Sequence, residues 1–285
     1  MNGIADEARC NKISVKSLCG HAGMSRQNYY AMRRLRTRRT IDEGFILELV
    51  NRERHLQPRL GGRKLLHLLS SDLQEAGIII GRDRFFELLA EHNLLVPRKP
   101  GKARTTFSRH SLPIFSNLLA EMTLTAPNQA WVSDITYIRT EQGFVYASLI
   151  TDAYSRKIVG FSIEDSLEVS LSLKALDMAL ATLPPASHPI HHSDRGCQYC
   201  SHAYVNRLRE HSMPISMTEV LHCYENAKAE RVNGILKQEY EMDRTFNTKE
   251  QARKALEQAV QLYNTRRPHT SLGYRVPEEV HSQAA

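Results

Sequence analysis

The sequence predicts a mixed α/β sheet covered on both sides by helices, preceded by an all-α, strongly basic region. Three observations carry this. Charge is divided unevenly: residues 1–110 hold 21 Lys+Arg against 11 Asp+Glu, residues 111–285 hold 17 against 20, and the chain as a whole is +7. Up to residue 95 the apolar residues recur three or four apart, the helical period. Beyond residue 128 the period changes, and "AWVSDITYI", "GFVYASLIT" and "KIVGFSIE" follow one another as runs rich in Val, Ile, Tyr and Phe, separated by turn residues.

Taken in order, residues 13–39 read as a short helix, a turn at Ala22-Gly23 and a second helix that Ser25 can cap, the order of a helix-turn-helix. The second helix offers Arg26, Gln27 and Asn28 to base edges or phosphates and continues into Arg33, Arg34, Arg36, Arg38 and Arg39. On that basis residues 1–40 form a basic DNA-contacting segment; plain helical packing is the alternative. Residues 41–95 read as a small helical domain with Leu65, Leu66, Leu69, Leu73, Phe85, Phe86, Leu88 and Leu89 in its core. Residues 96–127 open with three prolines and five basic residues over 96–113, and are assigned as a basic linker. The sheet, with its helices, occupies 128–282: three strands in a meander, a helix ending before Pro184-Pro185, a strand at 189–192, a helix at 201–210, a strand at "PISMT", then helices at 225–241 and 248–265.

Composition narrows the class. No apolar run reaches the ~20 residues of a membrane span and the first residues lack the pattern of a secretion signal, so the expectation is a soluble cytoplasmic protein that does not engage a membrane. Five cysteines in such a chain are expected to be reduced thiols. A basic front with carboxylates to spare behind it suits a protein that meets a polyanion and does metal chemistry on it.

Three carboxylates stand out. Asp134 lies in the middle of an apolar strand, where an ionised side chain costs several kcal/mol unless a cation or donors compensate it. Asp194 ends the strand at 189–192; taken alone it reads more readily as a turn residue than as a ligand. Glu230 falls on the helix "ENAKAERVNGILKQEY", where Ala229, Val232, Leu236 and Tyr240 make an apolar stripe and Asn226, Glu230, Asn233 and Lys237 align beside it. Asp152 in "TDAYSR" reads as a structural strand-end residue. His191, His192, Cys197 and Cys200 contain half of a zinc knuckle, but adjacent histidines on a strand point to opposite faces, which argues against one shared ion.

Two acids on strands separated by 59 residues, a third on a helix after a gap of 35, and a lysine seven residues later resemble the retroviral integrase and transposase superfamily. "LITDAYSRKIVGF", "HHSDRGCQY", "YENAKAERVNGILKQE" and "YNTRRPHTSLGYRVPEE" extend the likeness over most of 128–280, specifically to second-frame transposases of bacterial insertion sequences, and "PRLGGRKLLHLL" and "GRDRFFELLAEHNLL" make residues 41–95 resemble the helical DNA-binding domain of these proteins. The resemblance implies a ribonuclease H-like core in which Asp134, Asp194 and Glu230 are catalytic and metal-binding, holding Mg²⁺ with Mn²⁺ as a substitute. It also implies water-driven cleavage at an element end followed by attack of the freed 3′-hydroxyl on a second strand. In that reading Lys237 contacts DNA phosphate, and Asn226 orients substrate or the Glu230 helix. Double-stranded DNA is the expected partner, with a homo-oligomer assembling on it and an upstream-frame protein or fusion as a further partner. Two departures are visible: the glycine usual shortly before "ENA" is missing from "TEVLHCYENA", and Cys197 stands where a small hydroxyl residue is usual. The alternatives are a transposase-derived regulator that binds without cutting and a ribonuclease H-type nuclease acting on hybrids.

Overall fold

The computed structural model describes residues 14–97, 112–219 and 226–283. Helix α1 (Val15–His21) begins at Ser14, whose hydroxyl accepts from the Ser17 amide, and gives way to a turn in which Gly23 takes φ +60°, a conformation glycine adopts without a Cβ penalty. Ser25 then caps α2 (Arg26–Leu56), accepting from the Asn28 amide at 3.1 Å.

The expected boundary at residue 40 falls inside α2, which runs unbroken for 31 residues. Ion pairs one turn apart, Arg38 to Asp42 and Arg39 to Glu43, bridge that point, and the single glycine beyond it, Gly44, costs only about 1 kcal/mol in a helix. The first half of α2 is exposed. Its second half supplies Ile46, Leu49 and Val50 to a small core closed by α3 (Gly62–Glu75) and α4 (Arg82–Glu91) through Leu65, Leu69, Leu73, Phe85, Leu88 and Leu89.

The expected linker needs a correction. Residues 98–111 lie outside the described residues, but 112–127 are docked on the sheet domain. Leu112 and Phe115 pack into one core cluster and Leu119 and Leu124 into another, while the Leu118 amide donates to Ser216 Oγ at 2.9 Å. The prolines and charges that suggest a linker stop at 113, and the apolar residues just behind them bind the rest down.

Five strands form one sheet in the order β3-β2-β1-β4-β5. β1 (Ala130–Thr140), β2 (Gly143–Asp152) and β3 (Ile158–Glu164) make the antiparallel meander; β4 (Ile190–Ser193) and β5 (Ile215–Met217) add in parallel on the other side of β1. Helices α5 (Val169–Ala181), α6 (Cys197–Cys200) and α7 (His202–Glu210) cover one face around Trp131, Ile150 and Tyr199. Helices α8 (Ala227–Glu239) and α9 (Lys249–Thr265) cover the other around Ile138, Leu149 and Val232, and α10 (Pro277–Ser282) follows a short turn at Thr270–Leu272. Gly160 lets β3 approach α5 closely: a Cβ there would lie 2.2 Å from the Ala175 carbonyl oxygen.

The helical region is joined to the sheet domain by polar contacts. Glu53, 1% exposed, accepts from Arg266 through both carboxylate oxygens and from Gln57 Nε2. Tyr240 donates to Gln57, and Glu239 takes both Lys64 and the buried Arg267, at 2.9 and 2.8 Å. Burial, the largest single effect, raises the Glu53 and Glu239 carboxyls. The hydrogen bonds from Arg266 and Gln57 with the charge of Arg266 on the first, and the hydrogen bonds and charges of Arg267 and Lys64 on the second, together outweigh it and hold both below the ordinary range.

Candidate active site

Asp134 and Asp194 are neighbours by register. β1 and β4 run parallel with Ser133 opposite Ser193, so the next residue on each chain is an aspartate at the point where β4 ends. The Asp134 carboxylate accepts from the Ile135 amide at 2.9 Å and, through Oδ2, from Asn233 Nδ2 at 2.8 Å. Asp194 Oδ1 accepts from the Gly196 amide at 3.0 Å, so it is a turn residue as well as a strand-end acid. A Cβ at position 196 would lie only 3.0 Å from that same oxygen, which is why glycine suits the turn.

Glu230 lies on α8, which packs against β1 and β2. Asn226, 2% exposed, donates from Nδ2 to the Ser133 carbonyl at 3.0 Å, and Asn233, two turns later on the same face, donates to Asp134. Glu230 lies between them, four residues after one and three before the other. The side chains flanking it thus touch β1 at consecutive residues, and the stripe Ala229, Val232, Leu236 and Tyr240 is buried as its spacing predicts. Among the described residues, no three His, Cys, Asp or Glu side chains are arranged to hold a metal ion.

The charges of the two aspartates converge on one hydroxyl. Tyr199 on α6 is pushed well above its ordinary value by burial first, then by Tyr204 and by Asp134 and Asp194, so it stays protonated beside them. Burial, with Asp194 next, pushes the Cys200 thiol up to about 11. The donor chemistry, though not a three-ligand arrangement, suits a hard divalent cation: Asp134 and Asp194 offer carboxylate oxygens, and among the described residues the amide oxygen Oδ1 of buried Asn233 has no hydrogen-bond donor although its other end is bonded to Asp134.

Lys237 places its ammonium 4.5 Å from the centre of the Tyr137 ring, on the β1 strand beyond Asp134. Asn226, expected either to meet substrate or to orient the Glu230 helix, is 2% exposed and donates to the Ser133 carbonyl. The other DNA-contact candidates, Arg26, Gln27, Asn28, Arg33, Arg34, Arg36, Arg38 and Arg39, are exposed on the first half of α2, on a different element from the acids. Arg38 and Arg39 are partly answered by Asp42 and Glu43.

The zinc candidates do not converge. His191 Nε2 sits 2.8 Å from both Ser133 Oγ and Tyr204 Oη, His192 Nδ1 is 2.8 Å from Ser216 Oγ, and Cys200 Sγ is 3.7 Å from Met217 Sδ. Burial, then the neighbouring His192, pushes His191 down to about 3. Asp152 is buried and accepts from the Asn128, Tyr154 and Ser155 amides, a structural turn as its position predicts. Of the altered stretch 219–223 before "ENA", all but Glu219 lies outside the described residues. The contact that sequence reasoning misses is Asn233 to Asp134. Its signal is present, since Asn226 and Asn233 are one heptad apart on the stripe that holds Glu230.

An antiparallel meander followed by two parallel strands, with acids on the first strand, at the end of the fourth and on a helix packed against β1 and β2, is a ribonuclease H-like core. The chain matches two family models described as integrase core domain, over residues 125–223 and 211–277. It is 36% identical over 276 residues to the insertion element IS600 uncharacterized 31 kDa protein of Shigella sonnei, covering 94% of this chain and 100% of the relative. It is 35% identical over 207 residues to the transposase for insertion sequence element IS629 of the same organism, covering 73% of this chain and 70% of the relative. The HTLV-2 integrase catalytic core domain in complex with magnesium aligns at 16% identity and TM-score 0.44, over 55% of this chain and 97% of that one. The chain belongs to the insertion-sequence transposases that carry an integrase core domain.

Proposed function

We propose that this transposase cleaves and joins DNA strands at a site where Asp134, Asp194 and Glu230 hold divalent magnesium, with manganese as a working substitute. The observation that carries the reading is the docking of α8, whose Asn226 and Asn233 bracket Glu230 and bind β1 at residues 133 and 134. Bound cations supply polarisation of the scissile phosphate and activation of the attacking oxygen. The protein's own residues do the rest. Asn233 fixes the Asp134 carboxylate, Asn226 sets the height of α8 over β1, and Lys237 grips a phosphate beside the acids. Tyr199, which burial holds as the phenol, and His191, a weak base pushed down to about 3 by burial and engaged by Ser133 and Tyr204, take no part as bases. Both chemical steps are in-line phosphoryl transfers without a covalent enzyme intermediate. Double-stranded DNA is the substrate, the exposed arginines of α2 contribute to its capture, and two element ends are joined by an oligomer of this chain.

The test is transfer of a labelled element end into plasmid with Mg²⁺. Activity in the wild type and its loss in Asp134→Asn, Asp194→Asn and Glu230→Gln support the reading. Binding without cleavage by the wild type overturns it in favour of a regulator, and a preference for RNA:DNA hybrids points to a nuclease.

A further inference from the structure

On the flank of α8 away from the acids lie two adjoining clefts, of about 380 and 520 Å³, which share Arg156, Lys228 and Ser271. Among the described residues, the charged side chains lining them are Lys64, Arg156, Lys228, Arg231, Arg267 and Arg275, with no acidic one. The helical turn explains the placement: Lys228 and Arg231 leave α8 on one side of its buried stripe, Glu230 and Asn233 on the other. The tail "YNTRRPHTSLGYR", whose chemistry the acidic site does not use, forms the far wall.

The positive charge there is only partly answered. Glu239 pairs with both Lys64 and Arg267, one carboxylate for two cations. Among the described residues Arg156, Lys228, Arg231 and Arg275 have no ion-pair partner; Asp152, whose charge acts on Arg156 and Lys228, is buried and already accepts three backbone N–H groups. Arg156 is held at φ +67°, a conformation unfavourable for a side chain with a Cβ, by its amide donating to the Asp152 carbonyl and by the Tyr263 hydroxyl donating to the Arg156 carbonyl. His269, in the same wall, is pushed down to about 2 by burial and then by Arg267, Lys64, Arg156 and Arg231, so four cations act on one point. Like charges gathered in a partly enclosed cleft destabilise one another until an anion joins them.

We propose that this cleft seats consecutive phosphates of a DNA strand, holding the duplex along α8 about one helix diameter, ~10 Å, from the carboxylates. The inference rests on the DNA-cleaving reading for its choice of polyanion, and it adds to α2 and Lys237 a second phosphate-binding surface formed by the C-terminal tail and the helical region together.

The experiment is binding of a labelled duplex to the full chain across a KCl series in EDTA, where no cutting occurs. For Lys228→Gln/Arg231→Gln the slope of log affinity against log salt falls by about 2, and affinity at 0.1 M salt drops by tens of fold. Lys228→Arg/Arg231→Lys keeps the wild-type slope. If the double variant fails to fold, Arg156→Gln/Arg275→Gln on the opposite rim gives the same loss. Unchanged slope and affinity in a folded variant overturn the proposal. So does calorimetric titration with inorganic phosphate at matched ionic strength, if the cleft binds phosphate saturably while duplex affinity is indifferent to the substitutions. The underlying reading fails separately: a wild type that needs the cleft to bind duplex but never cuts with Mg²⁺ refutes the enzyme and leaves the cleft.

Discussion

Replacing Asn233 by Ala removes a side-chain donor that the structure places on Asp134. The bond is 2.8 Å long, its acceptor is a carboxylate oxygen and Asn233 is 6% exposed; a buried hydrogen bond to a charged group contributes about 1.5–3 kcal/mol. Asp134 itself is partly exposed, so water replaces some of the loss and the lower end of that range applies. If the bond's role is to hold the carboxylate in its working position, the loss enters the barrier and slows strand cleavage by about 10- to 30-fold. Stability falls by only about 1 kcal/mol, because the α8 stripe and the Asn226 bond remain. The assay is single-turnover cleavage of a labelled element end at saturating Mg²⁺, with duplex binding in EDTA and thermal unfolding measured on the same protein. Slower cleavage with unchanged duplex affinity is expected. Cleavage at the wild-type rate refutes the positioning argument, and a loss of rate that merely follows loss of folded protein refutes it equally.

Other consequences follow from the packing. Glu53→Ala removes a buried carboxylate bound by Arg266; breaking such a pair costs about 3–5 kcal/mol, reduced here to about 2 because the Arg266 side chain is 42% exposed. Urea unfolding measures it, and stability equal to wild type contradicts the coupling of helical region to core. Because the hydrogen bonds from Arg266 and Gln57 hold Glu53 below its ordinary value against the opposing effect of burial, its contribution is present above the unfolded carboxyl value, about 4.3, and is lost as pH falls through the lower folded one. Limited proteolysis between helical region and core as pH is lowered checks the sign, and the E53A variant loses this dependence. Gly160→Ala drives a Cβ into the Ala175 carbonyl and destabilises by about 1–3 kcal/mol or more; a wild-type melting temperature shows that β3 and α5 are not so close.

Much of this is legible in the residues. Val, Ile and Tyr alternation finds β1 to β3 within a residue or two, and the spacing of Ala229, Val232, Leu236 and Tyr240 marks the buried face of α8 because period 3.6 is a local property. What the residues hide is set by distant contacts. The composition of α2 changes from arginine-rich to apolar near residue 40, but a change of composition is not a change of backbone; Arg38 and Arg39 pair forward across it. Residues 112–127 look like a linker because their docking depends on Ser216 and the sheet edge, a hundred residues away. Asn226 and Asn233 look like solvated polar positions, and only the pairing of β1 with α8 turns them into groups that bind the strand bearing Asp134. The Glu53, Arg266, Lys64, Glu239 and Arg267 network, spread over two regions of the chain, has no local signature.

The most direct test is the number and affinity of Mn²⁺ ions bound by wild type, Asp134→Asn, Asp194→Asn and Glu230→Gln, measured by electron paramagnetic resonance on folded protein in the presence of element-end DNA. Each of the three substitutions, although the residues are remote along the chain, is predicted to weaken or abolish binding at the same ions. Wild-type occupancy in Glu230→Gln, with loss only in the aspartate variants, contradicts a site made from all three.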